Sequence, residues 1–203
     1  MGLSGSKLYR LSGGTVIPAS EALYPAEADL QQLIAENPQL LLSSPNEGQR
    51  LYLLRREQPV RDAPDGPALF SIDQDGLPVL VEVKRSTDTR IRREVVGQML
   101  DYASRMRAWS ASELRASAPL LDVPDDLWAA LDGNLRAERM RLIFAADSIP
   151  DSLASMIDFL DRSMDSIEVC GVEIKRYVSE DGAELISSTI VGGGNSHVKQ
   201  APR

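Results

Sequence analysis

Residues 68–84, Ala68-Leu-Phe-Ser-Ile-Asp-Gln-Asp-Gly-Leu-Pro-Val-Leu-Val-Glu-Val-Lys84, leave the chain few ways to fold through them. Two apolar runs flank Asp73-Gln74-Asp75-Gly76, and Asp-Gly between apolar runs marks a β-hairpin. A three-residue loop over Gln74-Asp75-Gly76, with Gly76 left-handed, sets Asp73 opposite Leu77, Phe70 opposite Leu80 and Ala68 opposite Glu82. Side chains alternate along a strand, so Glu82 and Lys84 point the same way. Residues 68, 70 and 72 are expected on that face, and Asp73 on the other.

The flanking segments read as alternating strands and helices. Leu8-Tyr-Arg-Leu11 and Thr15-Val-Ile17 are strand material around a Ser-Gly-Gly turn. Pro25 suits the first turn of a helix running to Glu36, with Leu30, Leu33 and Ile34 as its buried stripe. Leu51-Tyr-Leu-Leu54 reads as an edge strand. A helix is expected over 91–107, with Ile91, Val95, Met99, Tyr102 and Met106 inward. Residues 108–138, with Trp109 and Trp128, read as a partly helical insertion. Leu142–Ala146 is a buried strand, 151–164 an amphipathic helix and 167–178 a strand. The Gly-rich end is expected to be disordered after Ser187. The expectation is one α/β (α+β) domain over residues 1–187, a mixed central sheet flanked by helices, followed by a flexible tail, 188–203.

Composition narrows the chemistry. The chain has 203 residues, 43% of them hydrophobic, enough for one domain with a real core. No apolar run approaches the ~20 residues of a membrane span, and the start lacks the build of a signal peptide. Gly2 and Ser6 match a myristoylation pattern in letters only. A cytoplasmic protein without membrane partners is the expectation. Cys170 and His197 are the only cysteine and histidine. A thiolate metal cluster, zinc hydrolysis, and Ser-His or Cys-His catalysis therefore have too few residues to draw on. Carboxylates, lysine and a hard metal ion remain.

The net charge of −8 argues against a generic nucleic-acid-coating protein. Yet residues 84–107 carry seven basic residues (Lys84, Arg85, Arg90, Arg92, Arg93, Arg105, Arg107) against three acids. Such a strip is either a solvated helix face or a local track for a polyanion. Glu27 lies three residues before Leu30 and seven before Ile34, on the edge of the buried stripe. It is either a first-turn acid complementing the helix dipole or an acid leaning toward a site. Glu-x-Lys by itself is weak: Val81-Glu-Val-Lys-Arg85 has a near-twin in Val172-Glu-Ile-Lys-Arg176, which reads as an ordinary amphipathic strand.

The context of the first copy carries more weight. A helix with an inward acid, Glu27, runs into Glu36-Asn-Pro-Gln-Leu-Leu41. Then come the Asp-Gly hairpin, Glu82-Val-Lys84, and a helix bearing Gln98-Met-Leu-Asp-Tyr102. In this order and spacing the chain resembles the PD-(D/E)xK nuclease superfamily, which has the restriction-endonuclease-like fold, and especially its RecB-type branch. The resemblance spans residues 26–106, about half of the chain. It implies hydrolysis of phosphodiester bonds with Mg²⁺ or Mn²⁺. Glu82 and the backbone carbonyl of Val83 would hold the metal, with Glu27 in support. Lys84 would position or deprotonate the attacking water or offset developing charge. Gln98 and Tyr102 would orient substrate or the lysine, although Tyr102 also fits the core stripe of its helix. Arg85, Arg90, Arg92 and Arg93 would track phosphates of nucleic acid, DNA before RNA. Many relatives act as homodimers.

One departure matters. The family's Pro-Asp belongs opposite Glu82, and here Pro67 is followed by Ala68, which supplies no ligand. Asp73 is expected on the wrong face and Asp65 before the strand. Either an active nuclease has had its Asp changed to Ala, or the chain is an inactive descendant that binds nucleic acid or a protein partner. The retained Glu27, Glu82, Lys84 and Gln98 favour the first reading; Ala68 and the acidic charge favour the second. An α/β protein with no nuclease kinship would instead leave Glu82 and Lys84 exposed, paired only with each other, and Glu27 far away.

Overall fold

The structure is a computed structural model describing residues 8–42, 49–56, 67–87, 94–106, 108–118 and 121–192. Along the chain run β1 (Leu8–Ser12), β2 (Thr15–Ala22), α1 (Glu27–Glu36), β3 (Leu51–Arg56), β4 (Leu69–Asp73) and β5 (Pro78–Lys84). There follow α2 (Glu94–Met106), α3 (Ala111–Ser117), α4 (Asp125–Arg136), β6 (Met140–Ala146), α5 (Asp151–Ser163), β7 (Ile167–Ser179) and β8 (Glu184–Val191). The strands form one mixed sheet in the order β1-β2-β7-β6-β5-β4-β3, with β8 also paired to β7. Strand β5 is parallel to β6 and β6 to β7; the other pairings are antiparallel.

The β4–β5 hairpin has the register its turn residues demand, with Phe70 opposite Leu80 and Leu69 opposite Val81. The Asp73 N–H donates to Leu77 O and the Gly76 N–H to Asp73 O, with Gly76 at φ +70°. Asp73 Oδ1 accepts from the N–H groups of Asp75 and Leu77, both at 2.9 Å, so this acid closes its own turn. Its carboxylate also faces Arg141 at 3.5 Å, and Arg141 holds Glu168 at 2.6 Å.

Helices cover both faces of the sheet, so β5 is apolar on both sides, as a parallel neighbour requires. One layer joins Leu30 and Ile34 of α1 to Val79, Val81, Val83 and Ile143. The other joins Phe70, Ile72, Leu80 and Leu142 to Met99 and Tyr102 of α2 and Ile157 of α5. Within the segment expected as an insertion, Leu114, Trp128 and Leu131 belong to that second layer. Trp109 meets Phe70 edge-on, ring centres 6.3 Å apart, and carries the Arg55 guanidinium over its face at 4.6 Å.

Several boundaries differ from the sequence expectation. Helix α1 begins at Glu27, because Asp29 Oδ2 accepts from the Ala26 N–H and stops the helix there, leaving Pro25 outside the first turn. Order does not stop at Ser187: β8 runs to Val191, which pairs with Gly171. Ile91 and Arg107 lie outside the described residues, as do 193–203 of the expected tail. Among the described residues no helix is long and apolar enough to cross a membrane.

Candidate active site

The β5–β6 ladder ends at the pair Lys84 and Ala146, and a polar cluster gathers where it stops. Glu82, one turn of the pleat earlier, is 5% exposed. Lys84 Nζ lies 3.0 Å from Glu82 Oε1 and 3.0 Å from Glu27 Oε1. Glu27 is the first residue of α1, so the helix end that favours a negative charge delivers it to the strand terminus. The sheet thus brings together three side chains from two segments, with Glu27 and Lys84 57 positions apart.

Arg85 and Asp147 fasten this arrangement. Arg85 Nη1 donates to the carbonyls of Tyr24 (2.9 Å) and Pro25 (2.8 Å), which lead into α1. Its guanidinium therefore braces the peptide that presents Glu27. Beyond the ladder, Asp147 Oδ1 accepts from Ser86 N–H at 2.6 Å and Ser148 N–H at 3.0 Å, replacing the strand pairing that has ended. Sequence reasoning misses Asp147, because an acid after Ala-Ala reads as an ordinary turn residue. Its only signal is its place directly after a buried strand.

Burial pushes the Glu82 carboxyl above its usual range, and the Lys84 ammonium with the Ala68 backbone N–H draws it only part of the way back. Lys84 is pulled down by its own burial, but Glu82 and then Glu27 outweigh this, and its net direction is upward. Lys84 is accordingly an ammonium at neutral pH. The Tyr24 phenol is pushed up to about 12, first by burial and then by the charge of Asp147. Among the described residues three buried polar atoms here find no partner: Glu82 Oε2, Asp147 Oδ2 and Tyr24 Oη.

An unpartnered Glu82 oxygen costs stability, and its direction of shift gives a test. A group whose folded pKa lies above its unfolded value binds more protons when folded, so stability falls as pH rises through the window that begins near the ordinary Glu pKa. Glu82→Gln is expected to melt higher than the parent at pH 7 and to lose that advantage below the ordinary Glu range. Melting curves across this range check it; a variant less stable at pH 7 would show that the Lys84 contact outweighs the burial cost.

The remaining expected site residues are distributed less tightly. Ala68 is not in the ladder opposite Glu82: it sits on a bend after Pro67, β4 begins at Leu69, and the Ala68 methyl packs in the α1-side layer. Only Phe70 and Ile72 share the layer of Leu80. The Val83 side chain is buried in the α1-side core. Tyr102 is buried in the core beneath α2. Gln98 is exposed on that helix and makes no hydrogen bond to Glu82 or Lys84 among the described residues. Arg90, Arg92 and Arg93 lie outside the described residues. The second Glu-x-Lys also pairs, Lys175 lying 3.3 Å from Glu173 and 3.7 Å from Glu21, but its acid is more exposed and spends one oxygen on the Ile149 N–H.

Glu82 Oε2 is buried without a hydrogen bond among the described residues, and Glu27 stands across Lys84 from it. Among the described residues, however, no group of three or more His, Cys, Asp or Glu could hold a metal ion. Two carboxylates would suit only a hard, oxygen-preferring cation with open coordination positions, and not a closed structural site. Comparison with family models, with curated proteins and with solved structures returned no match to this chain.

Proposed function

We propose that the chain is a metal-dependent nuclease of the PD-(D/E)xK type, with nucleic acid, DNA before RNA, as substrate, and that it is impaired as written because position 68 carries Ala. The observation that carries this reading is the convergence of Glu82, Lys84 and Glu27 at one strand end, with Glu82 buried and one of its oxygens left free. The succession of α1, the antiparallel β3–β4–β5, α2 and the parallel β6 supports the likeness to a restriction-endonuclease-like core.

In this reading Glu82 and Glu27 would hold Mg²⁺ together with the Val83 carbonyl. The ion would supply a more acidic bound water and charge stabilisation at the phosphate. Lys84, charged at neutral pH, offsets charge developing on the phosphate oxygens instead of acting as a neutral base. Arg85 serves through its Nη1 as a positioning residue for Glu27.

A second reading, an inactive module that binds nucleic acid or protein, is favoured by one observation: the described residues offer two carboxylates where a ready metal site uses more. A cleavage assay on single- and double-stranded DNA, with Mg²⁺, Mn²⁺ or EDTA, separates the two. Metal-dependent cutting by Ala68→Asp, and not by Ala68→Asp/Lys84→Ala, supports the nuclease. Equal binding by all forms with no cutting by any supports the module.

A further inference from the structure

Among the described residues the β1–β2 ribbon stands out from the sheet. Only Ala19–Ala22 of β2 pair with β7, whereas β1 pairs β2 over Leu8–Ser12, so most of the ribbon extends beyond the body with two strands alone. A two-stranded ribbon is marginal in water. Its outer face nonetheless carries Tyr9 (48% exposed), Leu11 (72%) and Val16 (60%), with Pro18 opposite Tyr9. Among the described residues β1, β3 and β8 each pair along one side only, and β1 and β3 contrast. Edge strand β3 has a register break between Leu53 and Arg55 and two arginines, devices that discourage further pairing. Edge strand β1 has an unbroken register and no proline, and its one charge, Arg10, is turned back onto Asp181.

The backbone of β1 also fits its own copy. The two-residue turn Gly13-Gly14, both residues left-handed, is closed by the pair Ser12 and Thr15. Alternation from that pair turns the N–H and C=O groups of Leu11 and Tyr9 away from β2, toward the free edge. Two β1 strands laid antiparallel about a dyad at Arg10 therefore hydrogen-bond Tyr9 of one to Leu11 of the other, and the reverse. The same register aligns Pro18, Tyr9, Leu11 and Val16 into continuous apolar rows across both copies. Arg10 meets Arg10 of the partner subunit on the opposite face, each bringing Asp181 to offset its charge.

We propose that β1 is a homodimerisation edge, pairing antiparallel with β1 of a second copy about a dyad at Arg10 to make one continuous sheet. Sedimentation velocity of the full chain across micromolar concentrations is expected to show a monomer–dimer equilibrium. Leu11→Lys puts a charge into both apolar rows at an exposed position and is expected to weaken association by about 100-fold or more. Asp181→Asn leaves the facing arginines uncompensated and weakens it by a smaller factor, more so at low salt. Paired Tyr9 and Leu11 stand at the spacing a disulfide spans, about 5.5 Å between Cα atoms. Oxidising a mixture of Tyr9→Cys and Leu11→Cys proteins is therefore expected to yield a crosslinked heterodimer. The native Cys170 thiol, pushed up to about 12 by burial, does not compete. A chain monomeric at every concentration, a dimer indifferent to Leu11→Lys, or no crosslink between positions 9 and 11 would each overturn the proposal. If Leu11→Lys does not fold, the crosslink decides.

Discussion

Gly76→Ala is expected to lower stability by on the order of 3–5 kcal/mol, far more than one methyl group suggests. Two costs coincide at this turn. Gly76 holds φ at +70°, where a Cβ costs roughly 1–2 kcal/mol. The added Cβ would also lie 2.7 Å from Ala130 Cβ, 2.8 Å from Leu131 N and 2.9 Å from Leu127 O. Two of those are backbone atoms of α4, and no rotamer change moves them aside. The hairpin tip is therefore a packing surface, and the helix resting on it supplies Leu131 to the core. Gly182 is the control: its φ is +82° and nothing lies within 4 Å of its would-be Cβ, so Gly182→Ala meets the conformational cost alone. Urea midpoints of the two variants separate the contributions. Equal losses would mean that the turn, not the contact with α4, sets the effect.

The parts of the fold legible in the sequence are those encoded locally. Asp-Gly between alternating apolar runs set the register of β4 and β5 to the residue, and helical spacing placed Glu27 beside the stripe of Leu30 and Ile34. Relations between distant strands were not legible. Asp147 became part of the site only because β6 lies parallel to β5 and ends beside it, which no local pattern encodes. The polar run Ser187-Ser188-Thr189 beside a Gly-rich end concealed β8, whose pairing with β7 and whose Ser188 hydroxyl donating to Leu40 O decide its order. At Ala68 the count stayed in register, since Leu69 pairs with Val81 and the Ala68 N–H reaches Glu82, but the bend after Pro67 starts the ladder at Leu69 and leaves the methyl in the α1-side layer.

That bend gives the second large prediction its shape. If the nuclease reading is right, Ala68→Asp raises metal-dependent cleavage by more than about 100-fold, because residues that only support metal ligands already carry roughly 10–100-fold effects and a direct ligand carries more. The new carboxylate enters a position 5% exposed, beside the buried Glu82, so without metal it adds a third negative charge to a site holding one ammonium. The apo variant is then expected to melt below the parent, and Mg²⁺ to raise its melting temperature while leaving the parent nearly unchanged, since a ligand that binds only the folded state stabilises in proportion to its occupancy. Cleavage and melting respond to the same new ligand through independent readouts. Lys84→Ala in the same background should abolish cleavage while keeping the Mg²⁺-dependent rise, because it removes a charge beside the metal and not a ligand of it. A destabilised Ala68→Asp that neither cuts nor responds to Mg²⁺ would mean that the side chain stays in the α1-side layer, where the Ala68 methyl packs now, and that position 68 is not where an acid is missing.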